Sequence, residues 1–285
     1  MDKKKVIQML NEDLEGEHGA LIQYLTHAYA IGEGDLACEI EAIAREEMRH
    51  LDMLAETIVS LGGTPSTKRG TMRTNGKTPP EWMQNDIHSE KGAIALYKKH
   101  IAAITNPEIK RTLERILSDE ESHKGDFVHF VDKTTKEKLK DVRGKTDDKT
   151  IQILNWGIEH EYTVVIQYMF QSYLTKNKEA QKELQDQGIN EMQHLGWLAE
   201  KMIDAKGSPH IEHSPVEKTA KSDKLADMLK VDIKVEQRVA SAYDKAAKEI
   251  KDPKVKKLLE RIRDHEIYHT KVFEGILKEE KAKRK

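Results

Sequence analysis

Eight stretches of this 285-residue sequence carry apolar residues at alternating three- and four-residue spacing, and in each the stripe is interrupted near its middle by glutamate. That spacing is the period of helices packed in a bundle, with the stripe turned to the core. The first stretch reads Ile7, Leu10, Leu14, Glu17, Leu21, Tyr24, Ala28, and the second Ile40, Ile43, Glu47, His50, Leu54, Thr57, Leu61. The third is Met83, Ile87, Glu90, Ile94, Tyr97, Ile101, Ile104, and the fourth Ile109, Leu113, Ile116, Glu120, His123, Phe127, Phe130. The pattern then begins again with Ile151, Leu154, Ile158, Glu161, Val165, Tyr168. It continues through stripes holding Glu191 with His194 and Glu236, and ends in Val255, Leu259, Ile262, Glu266, His269, Phe273, Ile276.

The recurrence is a tandem duplication. EHGALIQY at Glu17 returns as EYTVVIQY at Glu161, EMRHLDMLAE at Glu47 as EMQHLGWLAE at Glu191, and LERILSDEESH at Leu113 as LERIRDHEIYH at Leu259. In the first copy helices are expected near 3–31, 35–61, 81–105 and 107–132. Asn106 is placed as a cap with Pro107 at the first helical position, and Asp252-Pro253 repeats that signal. LGGTPSTKRGTMRTNGKTPP forbids a continued helix between the second and third elements, and AKGSPHIEHSPVEKTAKS is its counterpart. Two short turns around one long connection make an up-down-down-up four-helix bundle. The expectation is an all-α chain with a first bundle over residues 1–133, a polar linker over 134–147 and a second bundle over 148–285. The basic tail KEEKAKRK reads as a frayed, solvated end.

Composition narrows the function classes. Charged residues are 34% of the chain and hydrophobic ones 37%, the balance of long amphipathic helices. The 48 basic and 50 acidic residues are interspersed, so no extended basic surface points to nucleic acid or anionic lipid. A single Cys38 excludes an internal disulfide or a Cys-rich metal module. No stretch has the length of a signal peptide or a membrane span, so a soluble cytoplasmic protein is expected.

Counted from the turns at 1.5 Å per residue, Glu17, Glu47, Glu90 and Glu120 reach about the same height, near mid-bundle. A buried, unpaired carboxylate costs on the order of several kcal/mol, and four together repel, so something cationic belongs among them. Four carboxylates and two imidazoles supply the ligands of a two-metal site, and Glu-x-x-His puts both side chains on one helix face.

In these motifs the sequence resembles the ferritin-like di-iron carboxylate superfamily, bacterioferritins above all, twice over and along nearly its whole length. The resemblance implies metal ligands at Glu17, Glu47, His50, Glu90, Glu120 and His123, and again at Glu161, Glu191, His194, Glu236, Glu266 and His269, with the Glu-x-x-His carboxylates bridging. It places Tyr24 and Tyr168 beside the ligands as hydrogen-bonding or redox groups, with plain bundle core as the other reading. Asp119 matches a position that can bond a ligand histidine, where the second copy has His265 preceded by Asp264, so the sites need not be equivalent. Met48 and Met192 fall where bacterioferritins carry a haem-ligating methionine at a two-fold interface. Ordinary packing is the favoured role there, and haem a hypothesis.

Glu46 and Glu121 adjoin ligands, but their counterparts are Asn190 and Ile267, so both read as bystanders; Tyr97 and Tyr243 read as core filling. The implied chemistry is oxidation of Fe(II) by O2 or peroxide at two di-iron centres per chain, with manganese or mixed occupancy open. A rubrerythrin-like peroxidase with an electron donor in trans and a metal-stabilised structural or partner-binding protein are the alternatives. A monomer or small homo-oligomer is expected, because the short extra helix of the cage-forming relatives has no clear counterpart.

Overall fold

The structure, a computed structural model, describes residues 2–145, 148–216 and 224–282. Residues 146–147 of the expected linker, 217–223 of the second crossover and 283–285 of the basic tail lie outside the described residues. The helices are α1 (Lys3–Ile31), α2 (Asp35–Ser60), α3 (Pro79–Ala103), α4 (Pro107–Lys136), α5 (Lys149–Leu174), α6 (Lys178–Asp204), α7 (Leu225–Glu249) and α8 (Pro253–Ala282). They fall into two units, Met1–Arg143 and Gly144–Lys285. Among the described residues there is no strand, and no helix is long and apolar enough to cross a membrane.

Side-chain caps set the helix starts. Asn106 Oδ1 accepts from Glu108 N (2.9 Å) and Ile109 N (3.3 Å), and Asp252 Oδ1 from Lys254 N (2.7 Å) and Val255 N (3.2 Å). Each such cap contributes about 1 kcal/mol. Helix α1 stops at Gly32, whose φ of 89° lies in the left-handed region and whose missing Cβ would meet Val142 at 2.8 Å. Helix α4 runs to Lys136 rather than ending near 132, with Thr134 buried. Lys138 at φ 52° turns the chain, Leu139 N donates to Thr134 O, and Val142 N then donates to Ala30 O, tying this segment to the first bundle.

The crossover between α2 and α3 runs along α1 in the same direction. Asn11 Oδ1 accepts from Ser66 N (2.6 Å), Glu15 O from Gly70 N (2.7 Å) and Gln23 Oε1 from Arg73 N (2.5 Å). A Cβ on Gly70 would lie 2.5 Å from Glu15 O, so glycine is what lets the two backbones touch. The strap delivers α3 to the far end of α1, and α3 returns antiparallel to it: Gln23 faces Asp86, Tyr24 faces Glu90, Glu17 faces Tyr97 and Asp13 faces His100. With α1 and α2 antiparallel through a short turn, α2 and α3 are parallel, which is the expected up-down-down-up order. Leu10, Ile40, Leu54, Leu113, Ile116 and Phe127 are fully buried along the seams, each contributing about 1.5–3 kcal/mol.

Polar groups buried between α1 and α3 differ from those between α5 and α7. In the first bundle Asp86 sits 2.9 Å from His27, and Asp13 sits 2.8 Å from His100. In the second, Gly157 and Ala246 stand at the positions of Asp13 and His100, while Asp232 accepts from the amides of Gln167 (2.8 Å) and Gln171 (3.0 Å). Burial pushes the Asp232 carboxyl up to about 7. A carboxyl raised in the fold favours the native state below its unfolded value, and that contribution is lost as pH rises through the folded value, here between 3.8 and about 7. Asp232→Asn is therefore expected to raise the melting temperature of the metal-free protein more at pH 8 than at pH 4, followed by circular dichroism. An equal effect at both pH values contradicts this assignment.

Candidate metal centres

Each bundle draws one glutamate from its first and third helices and one Glu-x-x-His pair from its second and fourth. All twelve residues expected as ligands are buried, with exposures of 0 to 3%. In the first bundle His50 Nδ1 lies 3.0 Å from Glu47, 3.0 Å from Glu120 and 3.3 Å from Glu17. His123 Nδ1 lies 3.0 Å from Glu47 and 3.9 Å from both Glu90 and Glu120. The second bundle repeats this. His194 Nδ1 is 2.8, 3.1 and 3.4 Å from Glu191, Glu266 and Glu161, and His269 Nδ1 is 2.9, 3.2 and 3.9 Å from Glu191, Glu266 and Glu236.

The donor atoms divide into overlapping quartets. Glu17, Glu47, His50 and Glu120 form one, and Glu47, Glu90, Glu120 and His123 the other, with the atoms in each within 4.8 Å of one another. The second bundle gives Glu161, Glu191, His194, Glu266 and Glu191, Glu236, Glu266, His269. Ligands held at about 2.0–2.2 Å from one ion lie no farther apart than about 4.4 Å, so each quartet needs only a small inward adjustment to hold one metal. The members common to both quartets are Glu47 with Glu120, and Glu191 with Glu266, which marks them as the carboxylates able to bridge.

The inward atoms lack partners that would make the clusters self-sufficient. Oxygens of Glu47, Glu90 and Glu120 and Nδ1 of His123 are buried without a hydrogen bond, as are oxygens of Glu191, Glu236 and Glu266 and Nδ1 of His269. Burial, then the Glu17 charge, pushes Glu47 well above the usual carboxylate range; burial first also raises Glu90, Glu120, Glu161 and Glu236. His50, His194 and His269 move the other way from what burial alone dictates. Contacts with Glu161, Glu191 and Glu266 outweigh burial and lift His194 to about 12, and those with Glu191 and Glu266 lift His269 to about 9. Without metal, protons and imidazolium charge hold these clusters together.

The tyrosines fix the unshared glutamates. Tyr24 OH donates to Glu90 Oε1 at 2.5 Å and Tyr168 OH donates to Glu236, so both expected tyrosines do touch the clusters. Tyr97 and Tyr243 are not mere core filling: their hydroxyls donate to Glu17 and Glu161. Each follows its helix's glutamate by seven residues, as Tyr24 follows Glu17, a spacing that was visible in the sequence.

Glu46 is also more than a bystander, since its Oε2 lies 2.8 Å from His123 Nε2. Glu121 pairs with Lys98 on the surface. His50 Nε2 faces Asp119 at 3.4 Å, whereas His194 Nε2 faces His265 Nδ1 at 2.9 Å and Asp264 turns to Arg263. Met48 and Met192 are half-buried on α2 and α6.

The model of the ferritin-like domain matches residues 7–136 and again 151–282. The chain belongs to the ferritin-like domain family. Relatives match about one copy each: the bacterioferritin of Desulfovibrio desulfuricans is 32% identical over 127 residues, covering 42% of this chain and 71% of its own. The bacterial ferritin of Paramagnetospirillum magnetotacticum is 37% identical over 119 residues, covering 41% and 71%. Among solved structures, Desulfovibrio desulfuricans bacterioferritin, studied with its diiron site in different catalytic states, is 30% identical with a TM-score of 0.44, covering 47% of this chain and 82% of that one. Rhodobacter capsulatus bacterioferritin, with a metal-free dinuclear site and haem iron, is 27% identical with a TM-score of 0.43, covering 48% and 88%.

The two ferritin-like bundles thus share inward donors and differ behind them: a carboxylate stands behind each imidazole of the first, whereas His265 stands behind His194 and Asn190 replaces Glu46 in the second. A carboxylate bonded to the outer nitrogen of a ligand histidine raises its basicity, and losing one weakens metal affinity by about 10–100-fold. Glu46→Ala is expected to weaken binding of one metal in the first bundle by that factor, measured by competition with a coloured chelator. Asn190→Ala is expected to leave affinity unchanged; equal losses in both variants contradict the assignment.

Proposed function

We propose that each bundle takes up a pair of Fe(II) ions as substrate and oxidises them with O2 or peroxide, in iron handling or oxidative defence. The observation that carries this reading is the pair of quartets sharing two glutamates. Glu47 and Glu120 would span both ions, Glu17 with His50 would complete one position and Glu90 with His123 the other. Glu191, Glu266, Glu161, His194, Glu236 and His269 would do the same in the second bundle. Similarity to the bacterioferritin and bacterial ferritin relatives supports iron over manganese or mixed occupancy.

The donor set suits the chemistry. Four carboxylates offset the charge of two divalent ions, and hard oxygen donors with imidazole favour the more highly charged oxidised ion. Two Fe(II) and O2 with two protons give two Fe(III) and H2O2; two Fe(II) and H2O2 with two protons give two Fe(III) and two waters. The raised carboxyls and imidazolium groups release protons as iron displaces them, beside the oxidant that needs them. Tyr24, Tyr97, Tyr168 and Tyr243 hold the unshared glutamates in place through their hydroxyls.

A cytoplasmic protein, monomeric or a small homo-oligomer, completes the proposal. Between α4 and α5 no helix forms among the described residues, and the chain after α4 packs on its own bundle. A mass of several hundred kilodaltons by light scattering overturns this state. Haem at Met48 or Met192 is tested by expression with haem supplied, where a Soret band establishes it and its lack dismisses it.

Metal analysis with Fe(II) oxidation under O2 and under peroxide tests the main reading. About four irons per chain are expected, one for each quartet, with turnover. Glu47→Ala or Glu191→Ala should each remove about half of that iron, and the double variant nearly all. Zinc without turnover supports the structural alternative, and turnover only with peroxide and an added electron donor supports the rubrerythrin-like one.

A further inference from the structure

The first bundle has a cavity of ≈ 260 Å³ between α1 and α3 that reaches the metal cluster. Its mouth holds Gly16 and Gly92, both exposed, and a Cβ added at either would meet nothing within 4 Å. Half-buried Ala20 and Ala93 form its walls, and buried Glu17 and Glu120 lie at its inner end. An oxygen of Glu120 there is buried without a hydrogen-bond partner. The cavity therefore runs from the exposed Gly16 and Gly92 to two ligand residues of the cluster.

The same helix faces of the second bundle carry larger side chains. With offsets of 144 residues for α5 and 146 for α7, Gly16 becomes His160, Ala20 becomes Val164 and Ala93 becomes Val239. Val164 and Val239 are 3% and 2% exposed, and Val164 belongs to an apolar cluster with Tyr168, Leu229 and Phe273. At the outer end His160 stacks on Trp156, whose ring lies 5.2 Å from that of Tyr243. Larger, buried side chains thus stand in the second bundle at positions that small residues occupy in the first, between helices that lie farther apart.

We propose that ions and small oxidants reach the first centre through this α1–α3 cavity, while Val164, Val239 and the Trp156–His160 stack close the equivalent path, so that the first centre exchanges its metal rapidly and the second retains it. The chain would then join a rapidly exchanging centre to a slowly exchanging one. This rests on the metal reading above.

The test uses the full chain loaded with Co(II), with uptake and release to excess chelator followed by Co(II) absorption. Glu191→Ala leaves the first centre alone and Glu47→Ala the second. Release from the first is expected to be at least about tenfold faster, since leaving a closed bundle requires local opening. Ala20→Val with Ala93→Val, in the Glu191→Ala chain, should slow uptake and release together while leaving Kd unchanged. Val164→Ala with Val239→Ala, in the Glu47→Ala chain, should speed both. A path alters both rates equally, whereas a change in the ligands alters Kd, so a shifted Kd with unaltered uptake overturns the proposal, as do equal rates at the two centres. Melting curves confirm that each variant is folded. Failure of the unsubstituted chain to bind Co(II) overturns the metal reading itself, an outcome distinct from binding with equal exchange.

Discussion

Four glutamates buried at mid-height in a helical bundle are the constraint around which each half of this molecule is arranged. Among the described residues the cationic partners they meet are the two histidines that share their helix faces. Burial pushes Glu47, Glu90 and Glu120 up, while neighbouring carboxylates outweigh burial at His194 and His269 and lift them, so protons and imidazolium offset much of the clustered charge. Such an arrangement gains little from ion pairing, because burying the charges offsets their attraction. Its geometry makes sense as a receptor for ions that arrive later, and apolar seams above and below supply the stability the cluster does not.

The antiparallel register of α1 with α3 turns this constraint into a specific site. A tyrosine seven residues after a glutamate on each helix reaches the glutamate of the other, so Tyr24 holds Glu90 while Tyr97 holds Glu17, and the second bundle repeats the reciprocity. The register in turn depends on the crossover strapped along α1 through Ser66, Gly70 and Arg73. A loop with no catalytic residue thereby decides which carboxylates meet.

Much of this was legible beforehand because it rests on local signals. Capping side chains at Asn106 and Asp252 marked helix starts, the seams marked the buried faces, and the twelve inward residues were all found on them. What escaped notice depended on partners far apart in sequence. Tyr97 and Tyr243 look like any bundle aromatic until the register of α1 against α3 is known. Glu46 has Asn190 as its counterpart, and such a difference between copies marks divergence as readily as irrelevance. The end of α4 lies beyond the expected one because Lys138, a lysine at positive φ, takes the position where glycine would announce the stop. Pro79 and Pro80 open α3 instead of closing the loop before it, so that helix starts two residues earlier than expected.

The two bundles keep the same inward donors while their surroundings have drifted apart, in the groups behind the histidines and in the space between the first and third helices. Duplication leaves room for such divergence, since one centre can be altered while the other preserves the original chemistry. All of it depends on the shared glutamates holding metals in pairs. Anomalous diffraction at the iron edge from crystals grown with Fe(II) and kept free of oxygen tests that most directly. The account predicts two peaks in each bundle, about 3.5–4 Å apart, with Glu47 and Glu120 between one pair and Glu191 and Glu266 between the other. A single peak per bundle, or peaks lying away from these carboxylates, would contradict it.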